Sequence, residues 1–350
     1  MTTGKDFTSD NASGAAPAIL EALARANSGT ALAYGDDPHT AQLTERLSEI
    51  FEHDVAVFPM FTGTAANALA LSCVVPPFGA IFCHRRAHIY TSECGAPEFY
   101  TGGAKLIGLD GEGARIDPSE LESAIAALGK GVTHHFQPAA LSLTQATECG
   151  TLYTAASIRA LSTIAHDNGL KVHMDGARFA NAIAAQGVKP ADITWKAGVD
   201  VLSLGVTKNG ALAAEAVVFF DQSLADQARF RQKRAGQVAS KMRFVSAQLL
   251  AMFKDGLWLD LAAHANAMAH RLGQAAASSG IALAFSAEIN EVFLKLDRGA
   301  ADRLRADGFA FHSWDPEPRE GACTYRFGTS FATETADVDQ LKMALARLKG

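Results

Sequence analysis

Over its first two-thirds the chain alternates short apolar runs with longer amphipathic ones. The apolar runs lie at residues 55–58, 80–83, 105–109, 139–143, 172–174, 201–204 and 216–220. Each is bounded by Gly, Pro or polar clusters, the signature of short buried strands. Between them, residues 17–27, 39–53, 118–128 and 154–168 repeat apolar positions every three or four residues, as helices do. Pro17, Pro38 and Pro118 suit first helical turns, and Gly169 a helix stop. Such alternation predicts an α/β fold with a largely parallel sheet covered by helices.

The pattern then changes. Residues 222–254 are helical in pattern, with a basic run at Arg229, Arg231, Lys233, Arg234, Lys241 and Arg243, and a long helical segment follows at 258–279. The tail reads strand 291–296, helix 298–307, strand 309–314, strand 323–327 and helix 335–348. We expect a polar N-terminal arm (1–14), a large domain (15–255) and a small α+β domain (256–350).

Composition narrows the class. A 350-residue chain with 48% hydrophobic and 19% charged residues can bury a full core. A net charge of −6 gives no reason to expect nucleic acid or an anionic membrane surface. No apolar run is long enough to span a bilayer, and the polar start lacks a secretory core. Cys73, Cys83, Cys94, Cys149 and Cys323 are scattered and form no CxxC pair, so reduced thiols in a cytoplasmic protein are expected. No HExxH is present, and adjacent His134 and His135 would face opposite sides of a strand, so no metal site is expected.

Several polar clusters follow predicted strands, where parallel sheets bind ligands. Thr62-Gly63-Thr64, with Asn67, is a small-residue turn opening a helix, a seat for an anion. Arg85 to His88 follows the second strand. Asp175-Gly176-Ala177-Arg178 and Thr207-Lys208-Asn209-Gly210 follow consecutive apolar strands. A lysine amine can form a Schiff base, and a carboxylate can keep a pyridine nitrogen protonated so that the ring draws in electrons. With the anion seat, these parts describe a pyridoxal 5'-phosphate (PLP) site. Each part alone also has an ordinary reading: a tight turn, an Asp-Gly turn, a solvated lysine loop.

The motifs as a set resemble the L-threonine aldolases, low-specificity and phenylserine-cleaving types included, among the fold-type I (aspartate aminotransferase-like) PLP enzymes. His173-Met174-Asp175-Gly176-Ala177-Arg178, with Asn181-Ala182, resembles the family's H-[IM]-D-G-A-R-x-x-N-A. Tyr34-Gly35-Asp36-Asp37-Pro38, Ser9-Asp10 and Tyr325-Arg326-Phe327 are similar to further family segments. The resemblance implies retro-aldol cleavage of L-threonine, L-allo-threonine or phenylserine to glycine and an aldehyde. It implies Lys208 as the Schiff-base lysine and Asp175 at the ring nitrogen. Gly63, Thr64, Asn67, Thr207 and Arg178 would hold the cofactor. Ser9, Arg178 and Arg326 would hold the substrate carboxylate. His88 would stack on the ring and either accept the β-hydroxyl proton or only stack.

The family's E-N-T-H-N segment is altered here, with Gln145 expected in place of its histidine. The stretch near Ser92 differs too, so both should set side-chain preference. The resemblance further implies a homodimer or homotetramer with the site at a subunit interface, Lys233 or Arg234 reaching a neighbour's cofactor. Rival readings are another fold-type I reaction (β-elimination, transamination or hydroxymethyl transfer), a non-catalytic PLP-binding protein, and a nucleotide binder.

Overall fold

The computed structural model describes residues 5–314 and 321–348; the first four residues of the expected arm and the last two of the chain lie outside it. Seven strands form the main sheet: β1 (Ala56–Met60), β2 (Gly79–His84), β3 (Lys105–Leu109), β4 (Gln137–Thr144), β5 (Lys171–Gly176), β6 (Val201–Gly205) and β7 (Glu215–Phe219). Their spatial order is β1-β7-β6-β5-β4-β2-β3. All pairs are parallel except those of β7, which runs against both its neighbours. β2, β6 and β7 are buried along their whole length, as a sheet covered on both faces requires. That explains why these strands read as continuous apolar runs and not as alternating ones.

A second, antiparallel sheet has the order β8-β10-β9, from β8 (Glu291–Asp297), β9 (His312–Ser313) and β10 (Ala322–Gly328). It has its own apolar core. The helix Leu257–Ser278 serves both cores, giving Trp258 and Ala262 to the first and Ala269, Leu272 and Ala276 to the second. The chain start joins the second core. Phe7 is buried there, its N–H donates to Ala310 and its carbonyl accepts from Gly328.

Three elements depart from the sequence pattern. The helical run 222–254 is broken into helices Ala228–Arg234 and Arg243–Met252, with Gly236 at φ +71° between them. The expected strand 309–314 contracts to His312–Ser313. Residues 133–136 form a turn, in which the His135 N–H donates to Val132, and β4 begins just after it at Gln137.

β4, β5 and β6 are also joined through side chains. Fully buried His173 meets Ser142 on β4 through Nδ1 (2.9 Å) and Ser203 on β6 through Nε2 (2.9 Å). Burial pushes its pKa down to about 4, the nearby Asp175 charge opposing this. Two residues on, Asp175 lies on the same face of β5, so this clamp fixes the strand end that carries it. A lowered folded-state pKa adds stability that is complete above pH 6.5 and lost as pH falls through 4. The advantage of wild type over His173→Asn in urea denaturation should therefore shrink between pH 7 and pH 4, by on the order of 3 kcal/mol.

Candidate active site

A cavity of about 290 Å³ opens at the carboxyl ends of the parallel strands. Gly63, Thr64, Asn67, His88, Asp175, Arg178, Thr207 and Lys208 all line it. The β5–β6 register pairs Asp175 with Ser203, so the acid and the lysine loop leave neighbouring strands side by side. The loop carrying Lys208 is tied from several directions. Thr207 Oγ1 bonds both the carbonyl and the N–H of Ala214 (3.2 Å each), and Asn209 donates to the Trp258 carbonyl (2.8 Å). Gly210 sits at φ +115°, and a Cβ there would press on the Phe331 ring at 3.2 Å. The Lys208 charge is felt by Asp10, His88, Glu215 and Glu291, which puts the amine among them.

Asp175 is buried and held at both oxygens. Oδ1 accepts from the Ala177 N–H (3.0 Å) and Oδ2 from Asn67 Nδ2 (2.9 Å). Asn67 also donates to Glu93 Oε1 (2.9 Å), which meets His88 Nδ1 at 2.8 Å. Asn67 was expected at the phosphate; the structure aims it at the carboxylate of Asp175, one helical turn into the helix Gly63–Val74. The anion seat is left to the start of that helix. Thr62 caps it by accepting from the Ala65 N–H (3.1 Å), and a Cβ on Gly63 would meet nothing within 4 Å. The Gly63 and Thr64 N–H groups are left without a partner at the cavity wall, as a phosphate seat needs.

Arg178 is nearly buried. Its Nε and Nη2 grip Asp10 (2.7 and 3.1 Å), and Nη2 also reaches Glu291 (3.0 Å). Burial would raise the Asp10 pKa, but Arg178, Lys208 and Asn290 hold it down at about 2. Glu291 is pushed up by burial against the pull of Arg178, with Asp10 adding to the rise. Arg326 lies 3.6 Å from the same Glu291 oxygen and does not line the cavity.

Ser9 is placed elsewhere as well. Its Oγ caps the short turn Asp10–Ala12 by accepting from the Asn11 N–H (3.1 Å), and it faces a separate hollow beside Thr333. Asn11 reaches the cavity in its stead. Gln145 is also corrected. It is fully buried, pinned to the Tyr153 backbone by both ends of its amide (2.9 and 3.0 Å), and absent from the cavity wall. Ala146 and Glu148, just beyond it, line the cavity. Ser92 is exposed, and the neighbouring Glu93 is the residue that turns inward.

Three carboxyls were missed by sequence reasoning: Glu93, Glu148 and Glu215. Burial is the first cause raising all three, to about 7 for Glu148 and Glu215. Glu215 was hidden because β7 is reversed, so its first residue, not its last, meets the site. The signal that could have found the others is an acid inside an otherwise apolar or small-residue stretch directly after a strand.

With this geometry in view, comparison with known proteins is decisive. The model of the beta-eliminating lyase family matches residues 6–298. The chain belongs to that family. It is 43% identical to a low specificity L-threonine aldolase of a Pseudomonas species, covering 96% of each chain, and 42% identical to that of Pseudomonas aeruginosa, covering 99% of this chain and 98% of the relative. Among solved structures, the threonine aldolase of Leishmania major superposes with a TM-score of 0.93 at 30% identity, covering 99% of this chain and all of that one. The likeness spans both sheets, so the family fold includes the antiparallel one.

For this family member, the arginine–carboxylate cluster should also carry stability. Arg178→Leu leaves Asp10 and Glu291 buried without their cation. The loss expected at pH 8 is about 3–5 kcal/mol, read from denaturant midpoints of the cofactor-free chain.

Proposed function

We propose that this chain is a PLP-dependent aldehyde-lyase that cleaves L-β-hydroxy-α-amino acids to glycine and an aldehyde. The observation that carries the reading is the side-by-side exit of Asp175 and Lys208 from paired strands, into one cavity with an open helix start and an arginine. The donor set fits the cofactor: a buried acid for the ring nitrogen, an amine for the aldehyde carbon, and first-turn N–H groups at Gly63 and Thr64 for the phosphate. Bound there, pyridoxal phosphate supplies a conjugated electron sink for the pair released when Cα–Cβ breaks.

The chain's own residues do the rest. Asp175, aimed by its two hydrogen bonds, would sit against the ring nitrogen and favour a proton there. His88 covers the cavity, and the bond to Glu93 raises its pKa and favours the protonated ring. Arg178 offers its remaining guanidinium edge to the substrate carboxylate, with Arg326 behind it. Fixing the carboxylate would orient the scissile Cα–Cβ bond for cleavage, a proximity effect. Thr207 keeps the lysine loop closed.

A panel of L-threonine, L-allo-threonine, both phenylserine diastereomers and D-threonine tests the reading. Acetaldehyde or benzaldehyde should appear with glycine from the L-substrates only. Pyruvate and ammonia from the same mixtures would overturn it in favour of elimination. Arg326→Leu should raise KM by about tenfold or more, with kcat and cofactor absorbance near wild type, if it helps hold the carboxylate; an unchanged KM removes it from substrate binding.

The exposed apolar side chains Leu32, Tyr34 and Phe230, with Lys233 Nζ 4.5 Å from the Tyr34 ring centroid, support a homodimer or homotetramer that covers them. Sedimentation at micromolar concentration should give a dimer or larger species. Among the described residues no helix is long and apolar enough to cross a membrane. Cys73, Cys83, Cys94 and Cys149 are free thiols, which supports a cytoplasmic location.

A further inference from the structure

We propose that Glu148 is the catalytic base that takes the β-hydroxyl proton of the substrate, from its place on the cavity wall beside His88. This rests on the aldol-cleavage reading above. Oε1 of Glu148 accepts from the His88 N–H (2.7 Å), which orients the carboxyl. Oε2 is buried with no direct hydrogen-bond partner, although the residue lines the cavity; the Thr144 side chain and the Glu148 N–H also face this carboxyl. A buried carboxylate oxygen without a donor is costly, and a substrate hydroxyl is a donor that would satisfy it. The Arg178 guanidinium also feels the Glu148 charge. A substrate held by its carboxylate at Arg178 thus has Glu148 at the side of the same cavity.

The proton balance is closed. The O–H bond breaks and its proton passes to Oε2, while the oxygen pair closes the carbonyl of the departing aldehyde. The Cα–Cβ pair would be taken up by the electron sink that the bound cofactor supplies, and a proton returned to Cα would complete glycine. His88 is a weaker candidate for this step. Its Nδ1 is engaged by Glu93 and its ring is biased toward the protonated form, which has no lone pair to offer.

Burial raises the Glu148 pKa to about 7, and Asp175 adds to the rise while its own amide and the His88 N–H oppose it. The titratable groups facing it are His88 after β2, Cys83 on β2, Asp175 on β5, Arg178 beyond it, and Cys149 and Tyr153 from the flanking loops. Such a base is active when ionised, so kcat/KM should rise with pH through about 7.

The test compares wild type with Glu148→Gln, which keeps an acceptor for the His88 N–H. The variant should bind pyridoxal phosphate with normal visible absorbance and bind glycine as wild type does. Its kcat for L-threonine should fall by about 100-fold or more, with KM within about threefold, and the rise near pH 7 should vanish. In the cofactor-free chain, a raised folded-state pKa means stability complete below the unfolded value and lost as pH rises through about 7. Glu148→Gln should therefore raise the Tm at pH 8 and leave it unchanged at pH 4.

If Glu148→Gln does not fold, Glu148→Ala replaces it; a kcat within threefold of wild type for either variant overturns the proposal. So does a retained limb near pH 7, or a cofactor-free Tm that responds equally at both pH values. A wild-type chain that releases no aldehyde defeats the functional reading first, and this proposal with it. A wild type that cleaves beside an equally fast Glu148→Gln defeats the proposal alone.

Discussion

One guanidinium holds the two halves of this molecule in a working relation. Arg178 leaves the end of β5, grips Asp10 from the chain start, and touches Glu291 at the start of β8. The chain start is in turn built into the second core through Phe7, and Asn290 gives its amide to the same Asp10 (3.0 Å). The main sheet, the N-terminal segment and the small sheet thus converge on a single buried cation. Burying a charge is unfavourable unless it is matched, so none of the three parts can drift without exposing or orphaning an ion.

Around that cation the cavity is unusually acidic. Asp175, Glu93, Glu148 and Glu215 all line it, and the last three are lifted by burial toward or into the neutral range. Asn67 separates two of them by donating to both Asp175 and Glu93. Asp175 has a hydrogen-bond donor on each oxygen, which fixes where the carboxyl points. The others are poised to hold or release protons, a division of labour set by donor supply and not by residue type.

Much of this was legible beforehand for identifiable reasons. Continuous apolar runs announced buried parallel strands, and polar clusters directly after them announced where a ligand would sit. The lysine, its partner acid, the helix-start turn and Arg178 were readable because each follows a strand in sequence. For Asn67 the motif gives spacing and not direction; the helix keeps it on the cavity wall and turns its amide toward Asp175. Gln145 and Ser9 failed for the same reason, each spending its hydrogen bonds on nearby backbone. Glu215 was invisible because strand direction cannot be read from an apolar run. Glu148 and Glu93 required knowing which of several adjacent residues faced the cavity.

The reversal of β7 has a bearing on how this fold tolerates change. The other strands of the main sheet are joined by crossovers that travel over a face and can lengthen at little entropic cost. The loop from 206 to 214 is different, because Gly205 and Glu215 at its two ends are paired partners in adjacent strands. Its span is closed like a clasp, with Lys208 inside. Its exposed point is Leu212, so added length is accommodated there, whereas an insertion at Val206 or from Asn209 to Ala211, all buried, would displace the lysine.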